Sequence, residues 1–318
     1  MNRTVIPVFL SCDERYLPFL AVSVRSLIDN ASPENRYEIT VLYTEVCEES
    51  RQRVQSMETD FCSIRFVDVN EAIAPVMSHF RLRDYYSIAI YYRLFIPTLF
   101  PEYDKAVYLD CDVVLERDVA DLFATELGDN MLVGVVRDEI VADTPPFQEY
   151  VRRHVGVPDD EYFNSGVMVM NLALFRRLDI TGKFARALKK YAFPSVAPDQ
   201  DYLNALCNGR VVYLEKAWNL MFSPHPYDGP VYLVHYNMFL KPWLYHGVPR
   251  EEYFWKYAVR TDYCDTLRAM QHAYTPEQRE KDDQALAAML SATDAYMNGD
   301  NTFAAKLAAD PMMEALKL

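Results

Sequence analysis

Short apolar runs alternate with helical stripes from the start of the chain, and this alternation is what most narrows the folds open to it. Val5-Ile-Pro-Val-Phe-Leu10 reads as a strand, after which Leu17, Leu20, Ala21, Val24, Leu27 and Ile28 recur at helical spacing on one face. Tyr37 to Tyr43 reads as a second strand, Glu48 to Glu58 as a polar-faced helix, and Ser63 to Asp68 as a third strand. A βαβαβ order implies a parallel, doubly wound sheet with helices on its faces, because parallel neighbours need a crossover between them. Further on, Ser87 to Leu94 predicts a helix that carries Arg93. Ala106 to Leu109, Met131 to Val136, Val167 to Met170 and Val231 to Val234 predict further buried strands, the last ending on His235.

The run Ala106 to Leu109 delivers two carboxylates, Asp110 and Asp112, at its carboxyl end, which is where open α/β sheets bind ligands. A second apolar run, Val113 to Leu115, leaves them little water to share. Carboxylates this close repel unless something cationic sits between them, and oxygen ligands suit Mg²⁺ or Mn²⁺. The plainer alternative is that Asp110 caps a turn and Asp112 is solvated.

The turn after the first strand, Ser11-Cys12-Asp13-Glu14-Arg15-Tyr16, has no glycine. That disfavours a dinucleotide fingerprint and the glycine-rich loop of a sugar nucleotidyltransferase. Asp13 either reads a base edge or caps the following helix. Asn164-Ser165-Gly166 reads as a small polar turn entering a buried strand, where a ligand can lie against the backbone. Pro198-Asp199-Gln200-Asp201 opens a helix whose Tyr202, Leu203 and Leu206 face inward; Asp199 reads as a cap, while Gln200 and Asp201 stand where a helix start can face a cleft. Arg93 and Asp138, taken alone, are the kind of charge more often found on a surface. His235 either fills a core or binds a ligand, and Lys241, pinned by Pro242-Trp243, suits a diphosphate.

In this order, the acidic turn, the helical arginine, Leu-Asp-x-Asp, Phe-Asn-Ser-Gly, Asp-Gln-Asp and His-x₅-Lys-Pro-Trp resemble glycosyltransferase family 8, the family of bacterial lipopolysaccharide galactosyl- and glucosyltransferases and, more distantly, glycogenin. The resemblance covers Val5 to Trp243. It implies a GT-A-like fold, a UDP-hexose donor, a carbohydrate acceptor, Mn²⁺ with Mg²⁺ as an alternative, and retention of anomeric configuration. Carried over by motif, Asp13 would contact the uracil, and Arg93, Asp138, Asn164, Ser165 and Gln200 would surround the donor sugar. Asp110, Asp112 and His235 would bind the metal, Lys241 the diphosphate, and Gln200, Asp201 and Asp138 would carry the catalytic roles. Many relatives have a glycine three residues after the histidine; here it is Met238. The rival reading is a UDP-sugar-binding relative without transfer activity.

A net charge of -14 over 318 residues would repel a nucleic acid duplex, so none is expected as a partner. The six cysteines contain no Cys-x-x-Cys pair, and no uncharged apolar run is long enough to span a bilayer. A cytoplasmic protein without an integral membrane segment is the expectation. Residues 1–265 are read as the transferase domain and 266–318 as a small helical appendage. Thr275-Pro276-Glu277-Gln278 has the composition of a capping box, and Leu286, Met289 and Leu290 form an apolar stripe for the catalytic domain or for a second copy of the chain.

Overall fold

The computed structural model describes residues 3–80 and 87–311. The chain divides into two compact units, one of Met1–Asp68, Val107–Thr125 and Glu215–Asp283, the other of Val69–Ala106, Glu126–Leu214 and Gln284–Leu318.

In the first unit, β1 (Val5–Ser11), β2 (Arg36–Tyr43), β3 (Cys62–Asp68) and β4 (Lys105–Leu109) lie in the order β3-β2-β1-β4, all parallel. Helix α1 (Leu17–Asn30) forms the first crossover, and all six residues of its expected stripe are buried. Helix α2 (Glu48–Gln55) has only Val54 inside, as its polar sequence predicts. Beyond β4 the chain turns through Asp110-Cys111-Asp112 into β5 (Val113–Leu115), which pairs antiparallel with β9 (Leu233–His235) in a separate two-stranded sheet.

In the second unit, β6 (Val133–Arg137) lies between β7 (Phe163–Asn171), to which it is antiparallel, and β8 (Val211–Tyr213), to which it is parallel. Two expectations change here. Asn164-Ser165-Gly166 belongs to β7 and is not a turn before it. The strand reaches back to Phe163 because the pairing with β6 continues to Arg137 opposite Phe163, while on the other edge Asn204 Oδ1 accepts from Phe163 N–H at 2.9 Å and Asn204 Nδ2 donates to Phe163 C=O at 2.9 Å. The segment Ile88–Phe95 winds as a 3₁₀ helix, not an α-helix. Ala89, Tyr91, Tyr92, Arg93, Leu94 and Phe95 are all buried, so packing on several sides, not one periodic face, decides its winding.

Helix α3 (Pro198–Cys207) starts at the expected proline and buries Tyr202, Leu203 and Leu206. Helix α4 (Pro276–Met297) begins with the reciprocal capping box: Gln278 Oε1 accepts from Thr275 N–H at 2.8 Å and Thr275 Oγ1 from Gln278 N–H at 3.3 Å. Its buried positions are Met289, Thr293 and Met297, with Leu286 left exposed. Thr293 is tolerated inside because its hydroxyl donates to the Leu290 carbonyl at 2.6 Å. Helix α5 (Phe303–Ala309) follows. No described helix is long and apolar enough to cross a membrane, and all six cysteines are free thiols.

Candidate active site

The first cluster lies at the carboxyl end of β4. The pairing of β5 with β9 sets Val113 directly opposite His235, so the residue before Val113 and the residue that ends β9 share one corner although the chain between them is long. His235 Nε2 lies 3.2 Å from Asp112 Oδ1 and 3.8 Å from Asp110 Oδ2, and one ligand atom from each of the three residues lies within 4.8 Å of the others. The other ring nitrogen, Nδ1, faces Asn219 Oδ1 at 2.9 Å; an amide oxygen only accepts, so Nδ1 carries a proton. That leaves Nε2 aimed at two carboxylates. Positive charge has to stand between the ring and the carboxylates, and two carboxylate oxygens with one imidazole nitrogen suit a divalent ion of the Mn²⁺ or Mg²⁺ kind.

Lys241 Nζ donates to Asp112 Oδ2 at 2.5 Å and to the Tyr236 carbonyl. Burial opposes ionisation of Asp112, but the charges of Lys241 and His235 outweigh it and hold the carboxyl well below the usual range. Asp110 accepts from the Tyr108 hydroxyl at 3.0 Å. Trp243 fixes the lysine loop by stacking on Phe19, with ring centroids 3.9 Å apart. Met238, where many relatives have glycine, adopts φ +56°, the left-handed conformation that glycine takes without cost. Asp13 takes its capping role: Oδ1 accepts from the N–H groups of Arg15 at 3.0 Å and Tyr16 at 3.1 Å. Its other oxygen lies 3.5 Å from the Arg15 guanidinium.

The second cluster belongs to the second unit, where β7 and the first turn of α3 supply a saturated set of amides and charges. Gln200 Oε1 accepts from Asn164 Nδ2 at 3.1 Å and Ser165 N–H at 3.0 Å, while Gln200 Nε2 donates to Asp138 Oδ2 at 3.0 Å. Asp138 uses its other oxygen to cap the short helix Glu139–Ala142, from Ile140 N–H at 3.0 Å and Val141 N–H at 3.3 Å. Arg93 donates to the Ser165 carbonyl at 2.7 Å and hydroxyl at 3.1 Å, and pairs with Asp199 Oδ2 at 3.3 Å. Ser165 Oγ donates to the same Asp199 oxygen at 2.9 Å. Arg93, Asp138, Asn164, Ser165, Asp199 and Gln200 are all buried, so each hydrogen bond offsets a desolvation cost that would otherwise stand.

Asp199 is the residue the sequence undervalues. It is not a cap, since α3 has no side-chain cap bond at its start, but the counter-charge of a buried arginine. The available signal was Arg93 itself: an arginine in so apolar a segment requires a carboxylate. Asp201 is different again. It is fully buried, and its oxygens accept from the hydroxyls of Tyr150 at 2.6 Å, Tyr162 at 2.7 Å and Ser195. Burial pushes its carboxyl above the usual range even though those three donors favour the charged form.

Comparison with known proteins bears on the family and the fold. The chain matches the profile of Glycosyl transferase family 8 over residues 7–247. A lipopolysaccharide 1,2-glucosyltransferase of Escherichia coli (strain K12) is 33% identical over 141 residues, 43% of this chain and 40% of the relative. The galactosyltransferase LgtC, solved in complex with donor and acceptor sugar analogs, is similar with a TM-score of 0.66 and 27% identity, covering 87% of this chain and 100% of that one. The WbbM bifunctional glycosyltransferase, in its apo form, gives a TM-score of 0.73 and 26% identity over 86% of this chain and 53% of its own. The matches thus span less than two thirds of the glucosyltransferase and of WbbM. With neighbours of this kind, the mostly parallel sheet and its flanking helices make a GT-A-like fold.

Proposed function

The chain belongs to glycosyltransferase family 8, and from that premise we propose that it is a metal-dependent, retaining hexosyltransferase that moves galactose or glucose from a UDP-sugar to a hydroxyl of a carbohydrate acceptor. The observation that carries the reading is the corner of Asp110, Asp112 and His235, with Nε2 facing both carboxylates and Lys241 alongside. Asp110, Asp112 and His235 would hold Mn²⁺, the nitrogen ligand favouring it over Mg²⁺. A bound ion there would neutralise charge on the departing diphosphate, an effect worth several kcal/mol.

Lys241 is the protein's own cation at this place. Its ammonium can turn from Asp112 to a phosphate oxygen while keeping the Tyr236 carbonyl as an anchor. The second oxygen of Asp13, now 3.5 Å from the Arg15 guanidinium, would accept the N–H of a uracil. Arg93, Asp138, Asn164, Ser165 and Gln200 would grip the donor sugar, by exchanging bonds they now make among themselves for bonds to sugar hydroxyls. No carboxylate in these motifs is an evident nucleophile, since an amide stands at Gln200. We therefore assign Gln200 to stabilising positive charge that develops on the sugar during front-face transfer, with Asp138 orienting its amide. Asp201, with its oxygens occupied by hydroxyls, contributes by fixing the turn that bears Gln200. All these residues fall within 1–265, the region we take as the transferase domain. The test is a thermal-shift panel of nucleotide sugars with and without Mn²⁺: UDP-hexoses should raise the melting temperature only together with the ion. Stabilisation by a different base, or by UDP-sugars equally well in EDTA, would overturn the reading.

A further inference from the structure

The end of the chain is built into the second unit behind α3. Phe303 is completely buried, stacked on Phe193 with centroids 4.0 Å apart and edge-on to Tyr202 at 4.8 Å. His154, also completely buried, bridges two carbonyl oxygens: Nδ1 lies 3.0 Å from that of Tyr296 and Nε2 2.8 Å from that of Pro194. Its ring stacks on Tyr150 and meets Phe303 edge-on. Gly156 lets α5 come close, since a Cβ there would lie 3.0 Å from Ala304 Cα.

These contacts converge on residues 192–197, the segment that leads into α3. Ala192 holds φ +42°, a left-handed conformation that persists in a non-glycine residue only when its surroundings enforce it. Ser195 donates to Asp201, and Val196 N–H donates to the Tyr150 hydroxyl at 3.3 Å, the same hydroxyl that reaches Asp201. Ala197, at the start of α3, offers no side-chain cap. With no local cap, the first turn of α3 takes its position from tertiary contacts, and that turn carries Asp199, Gln200 and Asp201.

We propose that residues 296–310 are a positioning element for Gln200, with Phe303 and His154 as positioning residues, so that discrimination between donor sugars depends on the C-terminal helices. This rests on the assignment of Gln200 to the donor sugar. The appendage is then part of the site's support, not a detachable tail.

The test uses the full chain with Phe303→Ala, and Phe303→Leu as the smaller perturbation should the alanine variant not fold. Hydrogen exchange of the amides of α3 should speed up on the order of 10-fold in Phe303→Ala, with β1 to β3 unchanged. The ratio of kcat/KM for UDP-galactose to that for UDP-glucose should shift by roughly threefold or more, while affinity for UDP with Mn²⁺ stays at the wild-type value. Loss of folded protein alone cannot move that ratio, because it scales both rates equally. Wild-type protection of α3, or an unchanged ratio in an active variant, overturns the proposal. A wild-type chain that turns over neither donor would instead overturn the assignment of function, and the exchange measurement would still decide the coupling.

Discussion

Replacing Asp199 by alanine should destabilise the protein far more than removal of an ordinary helix-start residue. Arg93 and Asp199 are paired at 3.3 Å with side chains 3% and 8% exposed, so the guanidinium left behind cannot turn to water. Among the bonds it would keep are those to the carbonyls of Ser165 at 2.7 Å and Ile90 at 2.9 Å, and a carbonyl satisfies an N–H group without replacing the carboxylate that is lost. Ser165 Oγ would lose its acceptor as well. Removing one partner of a buried pair costs about 3 to 5 kcal/mol, whereas replacing both by apolar groups of similar volume is often near neutral. Asp199→Ala should therefore lower the unfolding free energy by roughly 3 kcal/mol or more, and Arg93→Met combined with it should cost well under the sum of the two single changes. Urea denaturation followed by circular dichroism, run as a double-mutant cycle, measures both numbers. A cost for Asp199→Ala below about 1 kcal/mol, or simple additivity, would show that the pair is not a desolvated unit.

Met238→Gly should relieve a left-handed residue and raise stability by about 1 kcal/mol with transfer activity kept, as a melting curve and a rate will show; a loss of stability would mean the methionine side chain is doing the fixing. Asp201 carries a pH signature. Its folded-state pKa is raised, so the native state binds the proton more tightly than the unfolded chain, and the stability this gives is full at acid pH and lost as pH rises above the ordinary carboxylate range. Asp201→Asn should accordingly gain on the wild type as pH rises above about 4, and parallel stability curves would contradict this. UDP should bind only with metal present, because Asp13, Asp110 and Asp112 together would repel a bare diphosphate by an amount on the order of several kcal/mol; calorimetry giving equal affinity in EDTA would refute it.

Much of the fold could be read locally. The stripe Leu17 to Ile28 repeats at the helical period, the runs that became β1 and β4 are almost continuously apolar, and burial follows both patterns. The reading stopped where long-range pairing decides. Nothing near His235 announces that β9 lies against β5, and only the order of motifs brought that histidine to Asp110 and Asp112. Asn164-Ser165-Gly166 has turn composition, yet it is strand because β6, distant in sequence, pairs along β7 as far as Arg137 opposite Phe163. Asp199 looked like a cap because Pro198-Asp199 has a helix-start composition, while the burial of its partner Arg93 is a tertiary fact. Phe303 opens a short alanine-rich helix with no periodic mark of the core it enters.

Release of UDP from UDP-galactose and UDP-glucose, followed in Mn²⁺ and in EDTA for the wild type and for His235→Ala, bears on the proposed chemistry without needing the acceptor, since slow donor hydrolysis suffices. The wild type should release UDP from at least one donor in Mn²⁺ and from neither in EDTA. His235→Ala should be slower by on the order of 10² to 10⁴, or roughly 3 to 5 kcal/mol in the barrier, while remaining folded. Equal rates in EDTA, or a His235→Ala variant as fast as the wild type, would contradict a metal held by Asp110, Asp112 and His235.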